Sequence, residues 1–151
     1  MSGHVIAIAA DHAGYALKAQ LVDDLRRDGH SVVDLGTDSA ERSVDYSDYG
    51  DAVATALAEG RASFGVAICG SGIGIAIAAN RHRGARAALC TDGLMARLAR
   101  SHNDANVLVL GSRIVGIETA RDCLQQFLHT EFLGGRHADR VAKLSRQEAF
   151  P

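Results

Sequence analysis

One cysteine lies at the entrance of a glycine-rich turn within the stretch from Gly65 to Asn80. An apolar run ends at Cys69, and Gly70, Gly72 and Gly74 follow at alternate positions before a segment of small residues. Glycines at this spacing let the backbone turn tightly and point several N–H groups at one place, and a helix that begins there adds its unsatisfied donors. The turn therefore predicts an anion-binding cradle, with a thiol placed where a thiolate would be stabilised.

Two better-known phosphate-binding turns do not fit this stretch. No Gly-Lys-Ser/Thr follows the glycines, which excludes a Walker loop, and Ile75 stands where a dinucleotide fingerprint starting at Gly70 needs its third glycine. For the turn taken alone, a glycine-rich strand-to-helix connection with a buried cysteine remains an open alternative.

Two further segments carry side chains suited to sugar-phosphate chemistry. Asp11 and His12 follow the first apolar run, where they could hold sugar hydroxyls and a phosphate, although Asp11 could instead cap the next helix. His102 lies in the polar stretch Ser101–Asn106. A histidine titrates near neutral pH and suits proton transfer to a ring oxygen, although a histidine at a helix C-terminus is an equal interpretation.

Three arginines in the last third of the chain are candidate phosphate ligands. Arg113 stands alone, and Arg136 and Arg140 are four residues apart, which places them on one face if this segment is helical. Arginine forks match the geometry of phosphate, but a solvated basic face is the alternative. Cys90 and Cys123 are predicted to be inert packing residues.

Neither a metal site nor a serine-nucleophile elbow is predicted. The seven histidines form no H-E-x-x-H motif and no Cys/His pairing at zinc spacing, and G-x-S-x-G does not occur around Ser71.

Composition indicates one domain, residues 1–151, of an ordinary globular protein. The net charge of −2 gives no reason to expect a nucleic-acid partner. The apolar run Val5–Ala10 is too short for a membrane span or a signal segment, so no membrane association is expected. Three widely spaced cysteines without a C-x-x-C motif favour a reducing compartment, and the cytoplasm is the expected location.

Five short apolar runs predict strands that are buried on both faces, at His4–Ala10, Ser31–Leu35, Gly65–Cys69, Arg86–Cys90 and Val107–Leu110. Helical periodicity lies between and after them, with apolar stripes at Leu17/Leu21/Val22/Leu25, Val53/Ala54/Leu57/Ala58, Leu94/Leu98/Ala99 and Ala120/Leu124/Phe127/Leu128. This alternation predicts an α/β fold: a doubly wound, mostly parallel five-stranded sheet, Rossmann-like or flavodoxin-like, with helices on both faces and a C-terminal helix.

The predicted topology brings three segments to one edge of the sheet. Ligands of such sheets bind beyond the carboxyl ends of the strands, where Asp11–Gly14, Cys69–Gly74 and Gly111–Arg113 converge. His102 instead closes a helix that runs antiparallel to the strands, so it should lie at the opposite edge. If His102 serves the pocket, it does so in a partner subunit, which predicts a dimer with shared sites.

Taken together, these motifs resemble the type B ribose-5-phosphate isomerase family, which includes galactose-6-phosphate and allose-6-phosphate isomerases. The resemblance covers almost the whole chain. Its motifs are Ala10–Gly14 with Leu17-Lys18, Asp45-Tyr46, Ile68–Gly74, Ala78–Asn80, His102–Val107, Leu110–Arg113 and Gly134–His137.

The resemblance implies interconversion of an aldose phosphate and a ketose phosphate, here ribose 5-phosphate and ribulose 5-phosphate, through an enediolate. It implies no metal and no organic cofactor, and homodimers that share active-site residues, leaving open whether two dimers pair. By position, it implies Cys69 as general base and His102 as the ring-opening residue. It places Ser71 and the amides of Gly70, Gly72, Ile73 and Gly74 around the enediolate oxygen, and Tyr46 near the sugar. The implied substrate and phosphate contacts are Asp11, His12, Asn103, Arg113, Arg136 and Arg140.

Three positions distinguish this chain within the resemblance. A second branch of the family uses a glutamate where Ile75 stands, so Cys69 places this chain with the cysteine branch. Ser71 replaces a frequent threonine and keeps the hydroxyl, and Ser47 replaces a common proline. Two alternatives stay open: isomerisation of another sugar phosphate of four to six carbons, and a non-catalytic sugar-phosphate or nucleotide-binding module.

Overall fold

The structure, a computed structural model, describes residues 3–145, so residues 1–2 and 146–151 of the predicted domain lie outside the described residues. Strands and helices alternate along the chain. In chain order they are β1 (Val5–Ala10), α1 (Tyr15–Arg27), β2 (Ser31–Asp34), α2 (Tyr46–Ala58), β3 (Phe64–Cys69), α3 (Ile73–Asn80), β4 (Ala87–Leu89), α4 (Gly93–Asn103), β5 (Val107–Gly111), α5 (Ile117–His129) and α6 (Arg136–Leu144).

The five strands form one sheet in the order β2-β1-β3-β5-β4, and all four pairings are parallel. The doubly wound α/β prediction is confirmed, and the sheet is wholly rather than mostly parallel. From β1 the chain moves outward to β2 and then returns past β1 to β3. Loops that leave neighbouring strands in opposite directions open a crevice, so β1 and β3 flank the expected ligand position.

Two apolar layers cover the two faces of the sheet. Alternate strand residues such as Ile8 and Ile68 pack with side chains of α1 and α5, among them Leu21 and Phe127. The intervening strand residues, including Ala67 and Cys69, pack on the other face with Val53 of α2 and Ile75 of α3. Because successive strand residues point to opposite faces, Cys69 belongs to the layer that contains α2 and α3.

The stripes predicted for α1 and α5 are buried as expected, but the stripe predicted for α4 is only partly buried. Ala99 is buried as predicted, whereas Leu94 is 54% exposed, and α4 buries Ala96 and Arg100 as well. At the start of α4, a Cβ on Gly93 would overlap the carboxylate of Asp122 in α5. The two helices therefore approach closely at Gly93, while further along α4 the buried Arg100 packs over the ring of Phe127 in α5.

The edge strand β4 is shorter than the predicted run Arg86–Cys90, and a side chain pairs with it. The Asn80 Nδ2 donates to the Ala87 carbonyl oxygen at 2.9 Å, and the Ala87 N–H donates to Asn80 Oδ1 at 2.8 Å. The amide thus takes the place of a neighbouring strand at this residue. The other four strands differ from their predicted bounds by a residue at an end.

Between residues 3 and 145, no helix combines the length and the apolar character that crossing a bilayer requires.

Candidate active site

The turn between β3 and α3 has a shape that glycine makes possible. Gly72 has a φ of 81°, in the left-handed region, and a Cβ there would overlap the Leu89 side chain and lie 3.2 Å from the Gly111 nitrogen. A Cβ on Gly111 would in turn lie 2.5 Å from the Ser71 carbonyl oxygen. The turn is therefore packed directly against the end of β5.

The thiol of Cys69 faces into this turn. Its side chain is buried, with 3% of the residue exposed, and the Gly72 N–H donates to Sγ at 3.2 Å. A backbone N–H pointed at sulfur interacts favourably with negative charge there. The amide next along the chain, that of Ile73, donates to Ser71 Oγ at 3.1 Å, which leaves the Ser71 hydroxyl hydrogen free to donate.

The amide of Gly74 differs from these two. Among residues 3–145, no protein group accepts a hydrogen bond from its N–H, as expected in the first turn of a helix. Of the amides predicted to surround an oxyanion, those of Gly72 and Ile73 are thus engaged inside the turn, and that of Gly74 is available to a ligand.

A cavity of about 250 Å³ lies over this turn and collects side chains from four loops. It is lined by Asp11, His12, Ala13, Tyr46, Cys69, Gly70, Ser71, Gly74 and Arg113. Eight of these nine residues are among the predicted site residues, and they come from sequence positions up to about a hundred apart. The convergence follows from the parallel sheet, since the carboxyl ends of β1, β3 and β5 share one edge.

Arg113 and Tyr46 form two walls of the cavity. The Arg113 guanidinium lies against Gly70, where a Cβ would come within 3.2 Å of Nη1. The Arg113 N–H donates to the Gly70 carbonyl at 2.9 Å, which ties the loop after β5 to the turn. Opposite, the Tyr46 ring fits against Gly74 so closely that a Cβ there would lie 2.5 Å from Cε2.

Asp11 and His12 form the side of the cavity that follows β1. Asp11 is buried, and its Oδ1 accepts the Gly14 N–H at 3.1 Å, so it caps the turn before α1 as well as lining the cavity. The Nδ1 of His12 accepts the Val44 N–H at 3.1 Å. The Ser112 hydroxyl donates to the Ala13 carbonyl at 2.8 Å and joins the loops after β1 and β5.

Six predicted site residues do not line this cavity: Gly72 and Ile73, which belong to the turn beside it, and four that lie on other elements. His102 and Asn103 are the last residues of α4, and they line two other cavities, one with Ser101 and His129 and one with Asn80 and Leu144. Arg136 and Arg140 lie on α6, and their positions confirm that the C-terminal arginine pair is helical. Neither arginine lines the cavity at Cys69.

His137, which was not predicted as a site residue, lies beside His102. Its ring stacks on that of His102, with centroids 4.3 Å apart and planes 11° from parallel. Burial lowers the pKa of His137, and the nearby His102, Arg136 and Arg140 lower it further. Its position beside Arg136 in the motif Gly134–His137 was the available indication.

The remaining thiols lie in environments that disfavour the thiolate form. Cys90 and Cys123 are buried, and burial raises the pKa of Cys90 to about 12 and that of Cys123 to about 11. Between residues 3 and 145, no three His, Cys, Asp or Glu side chains are grouped so as to hold a metal ion.

Known proteins resemble this chain along nearly its whole length. The family model for Ribose/Galactose Isomerase matches residues 6–144. Ribose-5-phosphate isomerase B of Escherichia coli K12 is 45% identical over 143 residues, which are 95% of this chain and 95% of the relative. D-erythrulose-4-phosphate isomerase of Pectobacterium atrosepticum is 38% identical over 143 residues, 95% of this chain and 94% of the relative.

A solved structure agrees with both sequence and fold. Ribose-5-phosphate isomerase B of Clostridium thermocellum superimposes with a TM-score of 0.92 at 50% identity, covering 93% of this chain and 95% of that chain. Since the family model spans residues 6–144 and the fold matches at high identity, the chain belongs to the ribose/galactose isomerase family.

Proposed function

We propose that the chain interconverts ribose 5-phosphate and ribulose 5-phosphate through an enediolate. The observation that carries this proposal is the cavity in which the buried Cys69 thiol, the available Gly74 amide and the Arg113 guanidinium meet. A base, an amide donor and a cation within about 250 Å³ suit a small anionic sugar. The names of the Escherichia coli and Clostridium thermocellum relatives support the five-carbon substrate.

In this mechanism Cys69 is the general base. Its thiolate takes the proton from C2 of the open-chain aldose, and the electron pair moves to the carbonyl oxygen to give the enediolate. The thiol then returns the proton to C1 while the proton of the C2 hydroxyl passes to the C1 oxygen. This leaves a carbonyl at C2 and a hydroxyl at C1, which is the ketose, without any net oxidation. A positioned base contributes on the order of 10²–10⁴-fold to the rate.

The enediolate oxygen needs donors that are already oriented. The Gly74 N–H and the Ser71 hydroxyl hydrogen are the available groups beside Cys69, and the Gly70 backbone lines the same cavity. Each preorganised donor of this kind typically contributes about 10²–10³-fold. Arg113 and His12 hold the phosphate, Asp11 accepts from sugar hydroxyls, and Tyr46 forms the wall beside the sugar.

We further propose that a homodimer completes the site, with His102 of one subunit opening the furanose ring held at Cys69 of the other. The support is that His102, at the end of α4, lines a cavity that does not include Cys69. Asn103, Arg136 and Arg140 accompany His102 as substrate contacts, and the two arginines add positive charge for the phosphate.

Apolar side chains on the surface support a dimer as well. Ile73 and Ile77 lie one turn apart on α3 and are 57% and 54% exposed. Ile73 begins the helix that follows the cradle, so this surface adjoins the proposed site. Exposed apolar side chains grouped in this way are typical of a protein interface.

Turnover of ribose 5-phosphate by the purified chain, with the Cys69→Ser variant beside it, tests the chemistry. We expect Cys69→Ser to lose at least about 10²-fold in kcat, because a serine hydroxyl is a far weaker base, while its thermal unfolding matches the wild type. Cys90→Ala is the control, and it should keep its activity wherever it stays folded. Retention of most of the wild-type turnover by Cys69→Ser would overturn the role of this residue.

The same assay distinguishes the alternatives. The relative from Pectobacterium atrosepticum is named for a four-carbon sugar phosphate, which makes another sugar phosphate the second candidate substrate. The assay therefore includes a panel of four- to six-carbon aldose phosphates. A higher kcat/KM on a four- or six-carbon substrate would reassign the substrate while keeping the isomerase. Binding of ribose 5-phosphate without turnover of any substrate would favour the non-catalytic module.

A further inference from the structure

One ring nitrogen of His12 is engaged by a residue that does not line the cavity. Its Nδ1 accepts the Val44 N–H at 3.1 Å, across 32 positions of sequence. An amide can only donate, so Nδ1 carries a lone pair, and the neutral ring bears its proton on Nε2. The cavity therefore meets His12 as an Nε2–H donor, which suits a phosphate or hydroxyl oxygen.

The partner of this hydrogen bond belongs to the loop that leads to another wall of the cavity. Val44 lies two residues before Tyr46. Tyr46 begins α2, and its ring lies against Gly74. The loop joins β2 to α2 and spans residues 35–45. The Val44–His12 hydrogen bond thus ties the start of α2 to the end of β1.

The loop is fixed firmly at its start and by little else after that. The Thr37 N–H donates to the Ala10 carbonyl at 2.8 Å, and the buried Lys18 Nζ donates to the Thr37 carbonyl at 2.7 Å. The middle of the loop is largely exposed and holds only local contacts, an ion pair between Asp38 and Arg42 and a hydrogen bond from the Glu41 N–H to Ser39 Oγ. From residue 38 to residue 44, the structure describes no hydrogen bond to the rest of the chain except that of Val44.

We propose that His12 is a positioning residue as well as a substrate ligand. Its Nδ1 latches the β2–α2 loop, and with it the Tyr46 wall, onto the site, and the same hydrogen bond selects the tautomer that presents Nε2–H to the substrate. The ligand's identity rests on the proposed function, but the latch does not. Loop order and substrate recognition are thereby coupled through one imidazole ring.

Two isosteric substitutions separate the two nitrogens. In His12→Asn the side-chain oxygen occupies the place of Nδ1 and can accept from Val44, but nothing reaches the place of Nε2. In His12→Gln the terminal amide reaches the place of Nε2 and can donate, but the acceptor for Val44 is lost. Amide hydrogen exchange at Val44, resolved by NMR, reports the latch, and kcat/KM for ribose 5-phosphate reports the donor.

We expect the two variants to fail in different measurements. His12→Asn should keep Val44 protected and lose about 100-fold in kcat/KM, as for one strong hydrogen bond to a charged group. His12→Gln should expose the Val44 amide and lose only about tenfold, which is what the latch contributes, so it remains the more active of the two. Equal protection of Val44 in both variants and the wild type would overturn the latch, and equal kcat/KM would overturn the tautomer assignment.

A backbone substitution tests the same hydrogen bond while leaving the imidazole intact. Val44→Pro removes the donor, and Val44→Ala is the matched control because it keeps the N–H. We expect Val44→Pro to lower kcat/KM by about tenfold relative to Val44→Ala, as for one lost hydrogen bond. Equal kcat/KM in these two variants would contradict the proposal. If the wild type shows no turnover, exchange at Val44 in the His12 variants still decides the latch.

Discussion

Cys69, Cys90 and Cys123 are the same residue type in three environments, and the environment decides which of them can react. Cys90 and Cys123 lie within the apolar layer on the α1 and α5 face, where burial raises their pKa values to about 12 and about 11. Cys69 is equally buried by area, but it lines a cavity and its sulfur accepts an amide hydrogen. A buried thiol with access from one side is the arrangement that a base requires.

This contrast predicts selective alkylation. At pH 8, iodoacetamide should add one carbamidomethyl group to the folded chain, on Cys69, because both other thiols remain protonated and enclosed. Peptide mass mapping before and after unfolding measures it. Native Cys69→Ser should take up no label, and labelling of Cys90 or Cys123 in the folded wild type would contradict the assignment.

At the scale of elements, the outer edge of strand β4 is paired by a single side chain. The Asn80 amide makes two hydrogen bonds to the main chain of Ala87, in the place where a further strand would pair. Asn80 also ends α3, so this contact joins the helix that follows the cradle to the edge of the sheet.

We therefore expect Asn80→Ala to lower the free energy of unfolding by about 1–3 kcal/mol, because two backbone groups lose their partner. Urea unfolding followed by circular dichroism measures the change. Gln20→Ala, at an exposed position of α1, is the control and should change stability by less than about 0.5 kcal/mol. Equal midpoints for the two variants would show that water replaces the amide without cost.

The elements themselves were largely predictable, for identifiable reasons. Buried strands such as β1 and β3 read as continuous apolar runs, and α1 has a regular stripe that includes Leu21 and Leu25. The stripe of α4 misled at Leu94, because α4 packs on its neighbours through Gly93, Ala96 and the buried Arg100 instead. This packing depends on tertiary structure, which helical periodicity does not encode.

The candidate site was predictable where it follows from topology. Asp11, Cys69 and Arg113 share one cavity because parallel strands end at one edge. The stacking of His102 on His137 and the hydrogen bond from Val44 to His12 could not be predicted, because each depends on where a loop or a terminal helix returns to the domain.

At the scale of the whole molecule, one carboxylate joins two helices on the same face of the sheet. Asp24 of α1 is buried and accepts from Arg121 of α5 at 2.7 Å and from Arg27 at 2.5 Å. The hydrogen bond from Arg121 is the main reason that the pKa of Asp24 is lowered, and Arg27 contributes, against the opposing effect of burial.

A lowered carboxyl pKa stabilises the folded state above the pKa of the unfolded chain, about 3.9, and this stability is lost as the pH falls through the folded-state value. We expect Asp24→Asn to be less stable than the wild type at pH 7, with the difference shrinking below about pH 4. Chemical unfolding at several pH values measures it. The neighbouring exposed Asp23→Asn should show no such trend, and a difference for Asp24→Asn that persists at low pH would contradict the ion-pair explanation.

The proposed assembly makes the active site a property of two chains. Cys69 lies at the carboxyl ends of the strands, whereas His102 closes a helix that runs in the opposite direction and lines a different cavity. In a shared site, each chain supplies Cys69 to one site and His102 to the other. A subunit that lacks Cys69 therefore still supplies His102 to its partner's site, and a subunit that lacks His102 still supplies Cys69 to its own.

Complementation between two inactive variants tests this arrangement most directly. Cys69→Ser and His102→Ala chains are produced separately and together, and turnover of ribose 5-phosphate is measured. We predict near-zero activity for each alone and about a quarter of the wild-type activity for the mixture, because about half of the dimers are mixed and one of their two sites is intact. A mixture as inactive as its components would show that each chain holds its own site, or that these residues do not share one.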